Sequence, residues 1–247
     1  MKVLTLHRWD VAPAEARKIQ LQLRERVERV DRLSAIHRVA GTDVALELAG
    51  PRSWQSGEGR AIAGVVVYRF PEMQEIERVS AARPLTFPYI PGLLSFREIP
   101  ALLAAFEALR NAPDVIFCDA HGYAHPRRFG LACHLGVLLD LPSIGVAKSL
   151  FIGEHREPGK RAGSTAALLD PAGGEEIGVV ARTADGVKPV YVSQGHRISL
   201  ARAVELTFAV TDGHRVPRPT RDADHFVNSI RRERKTVAAE SGSRQPT

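Results

Sequence analysis

Two periods of apolar residues divide the chain. Across residues 13–33, Ile19, Leu23, Val27 and Val30 recur at three- and four-residue spacing among Glu, Arg and Gln, which predicts an amphipathic helix. Three strand-like runs follow, at Arg38–Leu48, 61–70 and 75–82, and the turn-rich stretches 49–52 and 56–59 predict antiparallel neighbours. After a proline-rich loop at 83–92 the pattern returns to a helix over 96–110, a buried strand at Val115–Cys118 and a helix over 129–139. Short strands are then expected at Ser143–Ala147, Thr165–Leu169, 177–181 and 190–193, and helices over 200–210 and 222–235. Antiparallel strands followed by alternating helix and strand predict an α/β fold, a mixed sheet flanked by helices on both faces. No internal repeat or long linker interrupts the pattern, so one domain over 1–237 is expected, with a polar tail at 238–247 that reads as disordered.

A chain of 247 residues is long enough to bury a sizeable core in one domain. Its formal net charge of +6 favours a polyanionic partner, although many soluble proteins are mildly basic. The two cysteines, Cys118 and Cys133, sit in apolar runs and read as core residues of a reducing compartment. No apolar run approaches the ~18 residues of a membrane span, and residues 1–10 lack a signal-peptide pattern, so a cytoplasmic protein is expected.

The densest chemistry lies at 119–130. The strand at Val115–Cys118 delivers Asp119 into a loop holding His121, His125, two glycines, Pro126, Arg127 and Arg128. A carboxylate at a strand tip beside basic and turn-forming residues suits a metal site facing a phosphate. Asp43 interrupts an apolar strand, which is costly unless the charge is paired or bound to metal; an outward-facing position is an equal reading. Ser95 and Glu98 have the spacing of a helix capping box, and Asp222 and Asp224 could complement a helix dipole. Lys148 ends a strand and could contact phosphate or a leaving oxygen, though most lysines are surface residues. His121 and His125 would suit zinc only on a helix, which Gly122 and Pro126 oppose, so His125 reads better as a donor to phosphate or base. Pro88 and Pro91 stiffen the backbone around Tyr89 and Ile90, a rigid aromatic wedge or a packed surface turn. The basic run Arg231, Arg232, Arg234 and Lys235 is either a backbone contact or a solvated face.

Taken together and in order, residues 40–43, 83–98, 119–136, 144–149, 191–196 and 219–224 resemble the endonuclease V family of deoxyinosine-directed repair nucleases. The resemblance runs from about residue 10 to 235 and implies a ribonuclease H-like fold. It implies Asp43 and Asp119 as magnesium ligands, with Glu98 and Asp224 completing the acidic site and Lys148 near the scissile phosphate. It also implies Tyr89 as the wedge, and Pro91, Gly92, Leu94 and His125 around the lesion. The chain departs from the family pattern at Ala120, where glycine is usual and a methyl narrows the space near the base; Gln194 is a milder difference.

The implied reaction is Mg²⁺-dependent hydrolysis, with Mn²⁺ as a substitute ion. The cut falls at the second phosphodiester bond 3′ to deoxyinosine, and the base stays on the nicked strand. The expected partner is single- or double-stranded DNA bearing deoxyinosine, met by a monomer. Rival readings are cleavage of inosine-containing RNA, a catalytically silent nucleic-acid binder, and a junction resolvase, which would need a dimerisation helix that the chain does not evidently offer.

Overall fold

The computed structural model describes residues 1–33, 35–50 and 57–242, with side chains to Thr236. Helix α1 (Pro13–Leu23) leads by a 3₁₀ turn into the first hairpin strands, β1 (Arg38–Leu48), β2 (Gly59–Arg69) and β3 (Gln74–Pro84). Then follow α2 (Leu94–Glu107), β4 (Val115–Cys118), α3 (Leu131–Leu139), β5 (Ser143–Ala147), β6 (Thr165–Leu169), β7 (Glu176–Ala181) and β8 (Val190–His196). Helices α4 (Leu200–Ala209) and α5 (Arg218–Gly242) complete the described chain.

One eight-stranded sheet runs in the order β3-β2-β1-β4-β5-β8-β7-β6. The β1–β2 and β2–β3 pairs are antiparallel, as the turn-rich connections predict, although residues 51–56 of the first connection lie outside the described residues. Strands β4 and β5 join β1 in parallel, and β8, β7 and β6 close the far side antiparallel. This is the mixed, ribonuclease H-like sheet that the resemblance implies.

Strand alternation sorts the core into two layers. Ala40, Ala63, Val65, Ile116 and Cys118 face α2 and α3, meeting Leu102, Phe106, Leu131 and Leu135. Val39, Val66, Val115, Phe117 and Ile144 face the other way, toward Leu206 of α4 and Ala223 of α5. β4 is therefore buried on both faces, as a central parallel strand requires. Cys118 and Cys133 are buried and free. Among the described residues, no helix is long and apolar enough to cross a membrane.

The first helix is shorter than the pattern over 13–33 predicts. It ends at Leu23, and Val27 is already extended at ψ 114°. The backbone of the next residues serves the end of β8 instead: the Glu28 N–H donates to His196 Nδ1 at 3.2 Å, and Glu28 O accepts from the Arg197 N–H at 2.7 Å. Val27 still packs against the helix layer, whereas Val30 is exposed. The last helix begins four residues before the expected Asp222 and runs to Gly242, with 243–247 outside the described residues.

Two glycines bring α5 onto the sheet. A Cβ added to Gly41 of β1 would lie 2.0 Å from both the backbone carbon and oxygen of Pro219. One added to Gly64 of β2 would lie 2.6 Å from Val227 Cγ1. The helix axis is thus seated against bare backbone, and Asp224 lies between these two contact points in sequence. Because Pro219 meets Gly41 with backbone atoms, rotamer change cannot relieve a clash there. Gly41→Ala is expected to lower the unfolding free energy by about 3 kcal/mol, read as a reduced urea midpoint. A midpoint equal to that of the parent would refute the close-packing account.

Candidate active site

The site begins where β4 stops. Thr42 of β1 pairs with Cys118, the last residue of β4, so Asp43 and Asp119 are the next residues along two adjacent parallel strands. The Asp119 N–H continues toward Thr42 O at 3.4 Å. Asp43 shares strand parity with Val39 and Gly41, the α5-facing side, and stands opposite Gly64 on β2. Asp224 comes from α5, where Asn228 Nδ2 donates to its Oδ1 at 3.0 Å. Glu98 comes from α2 on the other layer.

These carboxylates are crowded and poorly compensated. Burial raises Asp43 to about 7, and the charges of Asp119 and Asp224 add to the shift. Burial likewise raises Glu98 to about 8, with Asp43 and Asp119 adding to it. Asp119 is also raised by burial, against the opposing effect of its ion pair with Lys148 Nζ. Desolvation works against the Lys148 charge, but Asp119, then Asp224 and Asp43, hold its pKa above the ordinary value. Among the described residues, no three or more His, Cys, Asp or Glu side chains stand close enough together to ligate an ion as placed. The donor chemistry nevertheless suits a hard cation: several oxygen donors that repel one another, with a single ammonium among them.

The helix-end readings of the other acidic residues are corrected. The N-cap of α2 is Leu93, with no side-chain cap bond, so Ser95 and Glu98 form no capping box. Ser95 Oγ is instead 3.1 Å from His134 Nδ1 in the helix layer. Asp222 and Asp224 lie in the second turn of α5, beyond the N-terminal turn whose dipole they were read as complementing. Asp222 accepts from Tyr68 OH at 2.6 Å and has Arg218 Nε at 3.3 Å, a structural role that leaves Asp224 as the acid facing Asp43 and Asp119.

Beside Asp119 opens a cavity of about 300 Å³. Tyr89, Pro91, Gly92 and Leu94 line one side; Asp119, Ala120, His121, His125 and Leu131 come from the β4–α3 segment, and Lys148 and Phe151 from beyond β5. The cavity therefore joins seven of the ten residues that the resemblance assigns to the site, while Asp43, Glu98 and Asp224 adjoin it through Asp119. Tyr89 is 47% exposed at the rim. His121 and His125 do not converge as zinc ligands. Their Nε2 atoms meet the backbone carbonyls of Ser149 at 3.0 Å and Gly92 at 3.1 Å respectively. His125 Nδ1 accepts from the Arg127 N–H at 3.2 Å, which makes Nε2 the donor to Gly92 O. Burial and the neighbouring Arg127 lower His125 to about 3, so the ring is neutral and fixed at both nitrogens.

The loop after β4 is pressed against β5 and β8. A Cβ on Gly122 would lie 2.4 Å from Gln194 O, and one on Gly145 would lie 2.4 Å from the Gly122 nitrogen. Ala120 needs no left-handed backbone, and its methyl lies among the residues of the helix layer. Sequence reasoning missed three contributors. Phe151 flanks the histidines at 5.6 Å from His125. Arg215 Nη2 donates to the Lys148 carbonyl. Gln20 is buried on α1 and bonds to the cavity wall; its place on the Ala16, Ile19 and Leu23 face was a legible signal.

The endonuclease V family model matches residues 21–225. An endonuclease V of Trichormus variabilis is 46% identical over 230 residues, covering 93% of this chain and 100% of the relative. The crystal structure of endonuclease V from Streptomyces avermitilis superposes with a TM-score of 0.83 at 42% identity, covering 95% of this chain and 100% of that one. The endonuclease V of Ciona intestinalis, solved with a 24mer DNA containing an inosine followed by a ribo-adenosine, superposes at 0.78 with 30% identity, covering 91% and 98%.

The raised carboxyls couple the site to stability. The folded chain keeps Asp43 and Glu98 protonated at pH values where the unfolded chain has ionised them. Their stabilisation is complete below the ordinary carboxylate values and is lost as pH rises through about 7 and about 8. In chelator, the melting temperature is expected to fall across that window. The double variant Asp43→Asn, Glu98→Gln should melt higher at the alkaline end and show a flatter profile. An equal slope in the variant would show that these carboxyls do not carry the effect.

Proposed function

The chain belongs to the endonuclease V family of nucleases, and on that premise we propose that it hydrolyses DNA at the second phosphodiester bond 3′ to deoxyinosine. The products carry 3′-hydroxyl and 5′-phosphate ends, and the lesion remains on the nicked strand. Mg²⁺ is the proposed ion, with Mn²⁺ as a substitute. The observation that carries this reading is the pair Asp43 and Asp119 at the ends of adjacent parallel pairing, opening beside a cavity with an exposed aromatic at its rim.

In this reading Asp43 and Asp119 hold the ion, and Glu98 and Asp224 complete or order its shell. When bound, the ion supplies charge neutralisation at the phosphate and activation of water for in-line attack. Asp43 would have to be deprotonated to hold the ion, against the burial that raises it. The Lys148 ammonium, paired with Asp119 at the cavity, would be placed to contact the phosphate or the leaving oxygen. Tyr89 fills the gap left in the stack by the displaced nucleotide. Pro91, Gly92 and Leu94 bound the base, and neutral His125 contributes shape without charge.

A second reading is cleavage of inosine-containing RNA. It draws support from the Ciona relative, whose bound strand has a ribonucleotide directly after inosine. Matched DNA and RNA oligonucleotides with one inosine separate the two.

A duplex with a single deoxyinosine should be nicked once in Mg²⁺ and left intact in chelator or when undamaged. Asp119→Ala is expected to abolish nicking while changing duplex binding only a few-fold, measured by gel shift. Full nicking by that variant would remove Asp119 from the site, and selective binding without nicking by the parent chain would favour a silent binder.

A further inference from the structure

One backbone carbonyl at the cavity mouth is held by three side chains. Gly92 O accepts from Gln20 Nε2 at 3.0 Å, from Arg127 Nη2 at 2.8 Å and from His125 Nε2 at 3.1 Å. Gln20, only 1% exposed, is the hub. Its Nε2 also donates to Phe129 O at 3.1 Å, and its Oε1 accepts from Arg127 Nε at 2.6 Å. Both donors and one acceptor site of one buried amide are thus spent between the 88–93 loop and the loop after β4, the two walls of the cavity. Gly92 itself cannot be replaced within this arrangement. Its φ is +81°, and a Cβ there would lie 2.6 Å from Arg127 Nη2.

We propose that Gln20, acting with Arg127 through the Gly92 carbonyl, is a positioning residue that presets the Tyr89 loop for insertion into the substrate. Gln20 lies on α1, outside the acidic site, and needs no contact with DNA. Its effect is to keep the loop in its inserting position before substrate arrives, so that ordering cost is not charged to binding. The stiffness from Pro88 and Pro91 fixes the shape of the loop; the amide fixes where that shape sits relative to Asp119. The inference rests on the reading of Tyr89 as the wedge, and its test must separate the two.

The test uses Gln20→Met, which keeps length and apolar stem but removes the amide, and Gln20→Glu, which keeps an acceptor for Arg127 but no donor. Two measurements are made on the full-length chain. The first is amide hydrogen exchange of Tyr89, Ile90, Gly92 and Leu93 in the free protein. The second is single-turnover nicking of a deoxyinosine duplex, giving the half-saturating concentration and the rate at saturation. Loss of one buried hydrogen-bonding group predicts roughly tenfold faster exchange and a roughly tenfold higher half-saturating concentration for Gln20→Met, with the saturated rate nearly unchanged. In a Tyr89→Ala background, Gln20→Met should add little, because the side chain being positioned is gone. A merely structural defect would add its cost in both backgrounds. If Gln20→Met fails to fold, Gln20→Glu and Arg127→Met carry the same comparison. Unchanged exchange, or fully additive effects with Tyr89→Ala, overturns the proposal. Faster exchange in a chain whose parent does not select deoxyinosine upholds the positioning role and refutes the wedge reading instead.

Discussion

Everything around this site answers to one constraint: several carboxylates must share a partly buried space with a single lysine nearby. Left alone, such groups hold protons far above their ordinary range, as Asp43 and Glu98 do. The fold supplies what keeps them together despite the repulsion. Asp43 and Asp119 are fixed by parallel pairing of β1 and β4, Glu98 by a helix on one layer and Asp224 by a helix on the other. The acids thus come from four separate elements whose packing is decided by apolar burial elsewhere. An electrostatic cost at the centre is borne by two hydrophobic layers at the sides.

The cavity beside Asp119 is built on a different principle. Its walls are loops, and loops lack the ladder of hydrogen bonds that fixes a strand. Here the missing ladder is replaced by side chains bonded to backbone carbonyls: His121 to Ser149, and His125, Arg127 and Gln20 to Gly92. His125, read as a donor to phosphate or base, bonds to the Gly92 carbonyl instead, and His121 to that of Ser149, so both rings hold shape.

Much of this architecture was legible from spacing. The strands Arg38–Leu48, Val115–Cys118, Ser143–Ala147 and Thr165–Leu169 are all as read, because each is an apolar run bounded by turn residues or charges. The first helix was overextended, since Val27 and Val30 continue its period by chance while the backbone of Glu28 between them is bonded at the end of β8. The capping-box spacing at Ser95 and Glu98 misled for a related reason: a local pattern cannot show that His134, distant in sequence, takes the serine hydroxyl. Among the acids, parity alone could not say whether Asp43 faced solvent. That depended on β4 ending one residue earlier and on α5 lying over Gly41. Asp222 and Asp224 were equivalent in sequence until Tyr68 took one of them.

The unequal lengths of β1 and β4 have an evolutionary corollary. Eleven residues of β1 face only four of β4, so β1 runs on past its neighbour and leaves a notch in the sheet, at whose floor Asp43 and Asp119 meet. The apolar identities within β4 can drift as long as volume is kept. Its length cannot, because a strand alternates faces at every residue and one insertion would carry Asp119 out of the notch and onto the opposite layer. The count from Val115 to Asp119 is therefore held fixed by geometry.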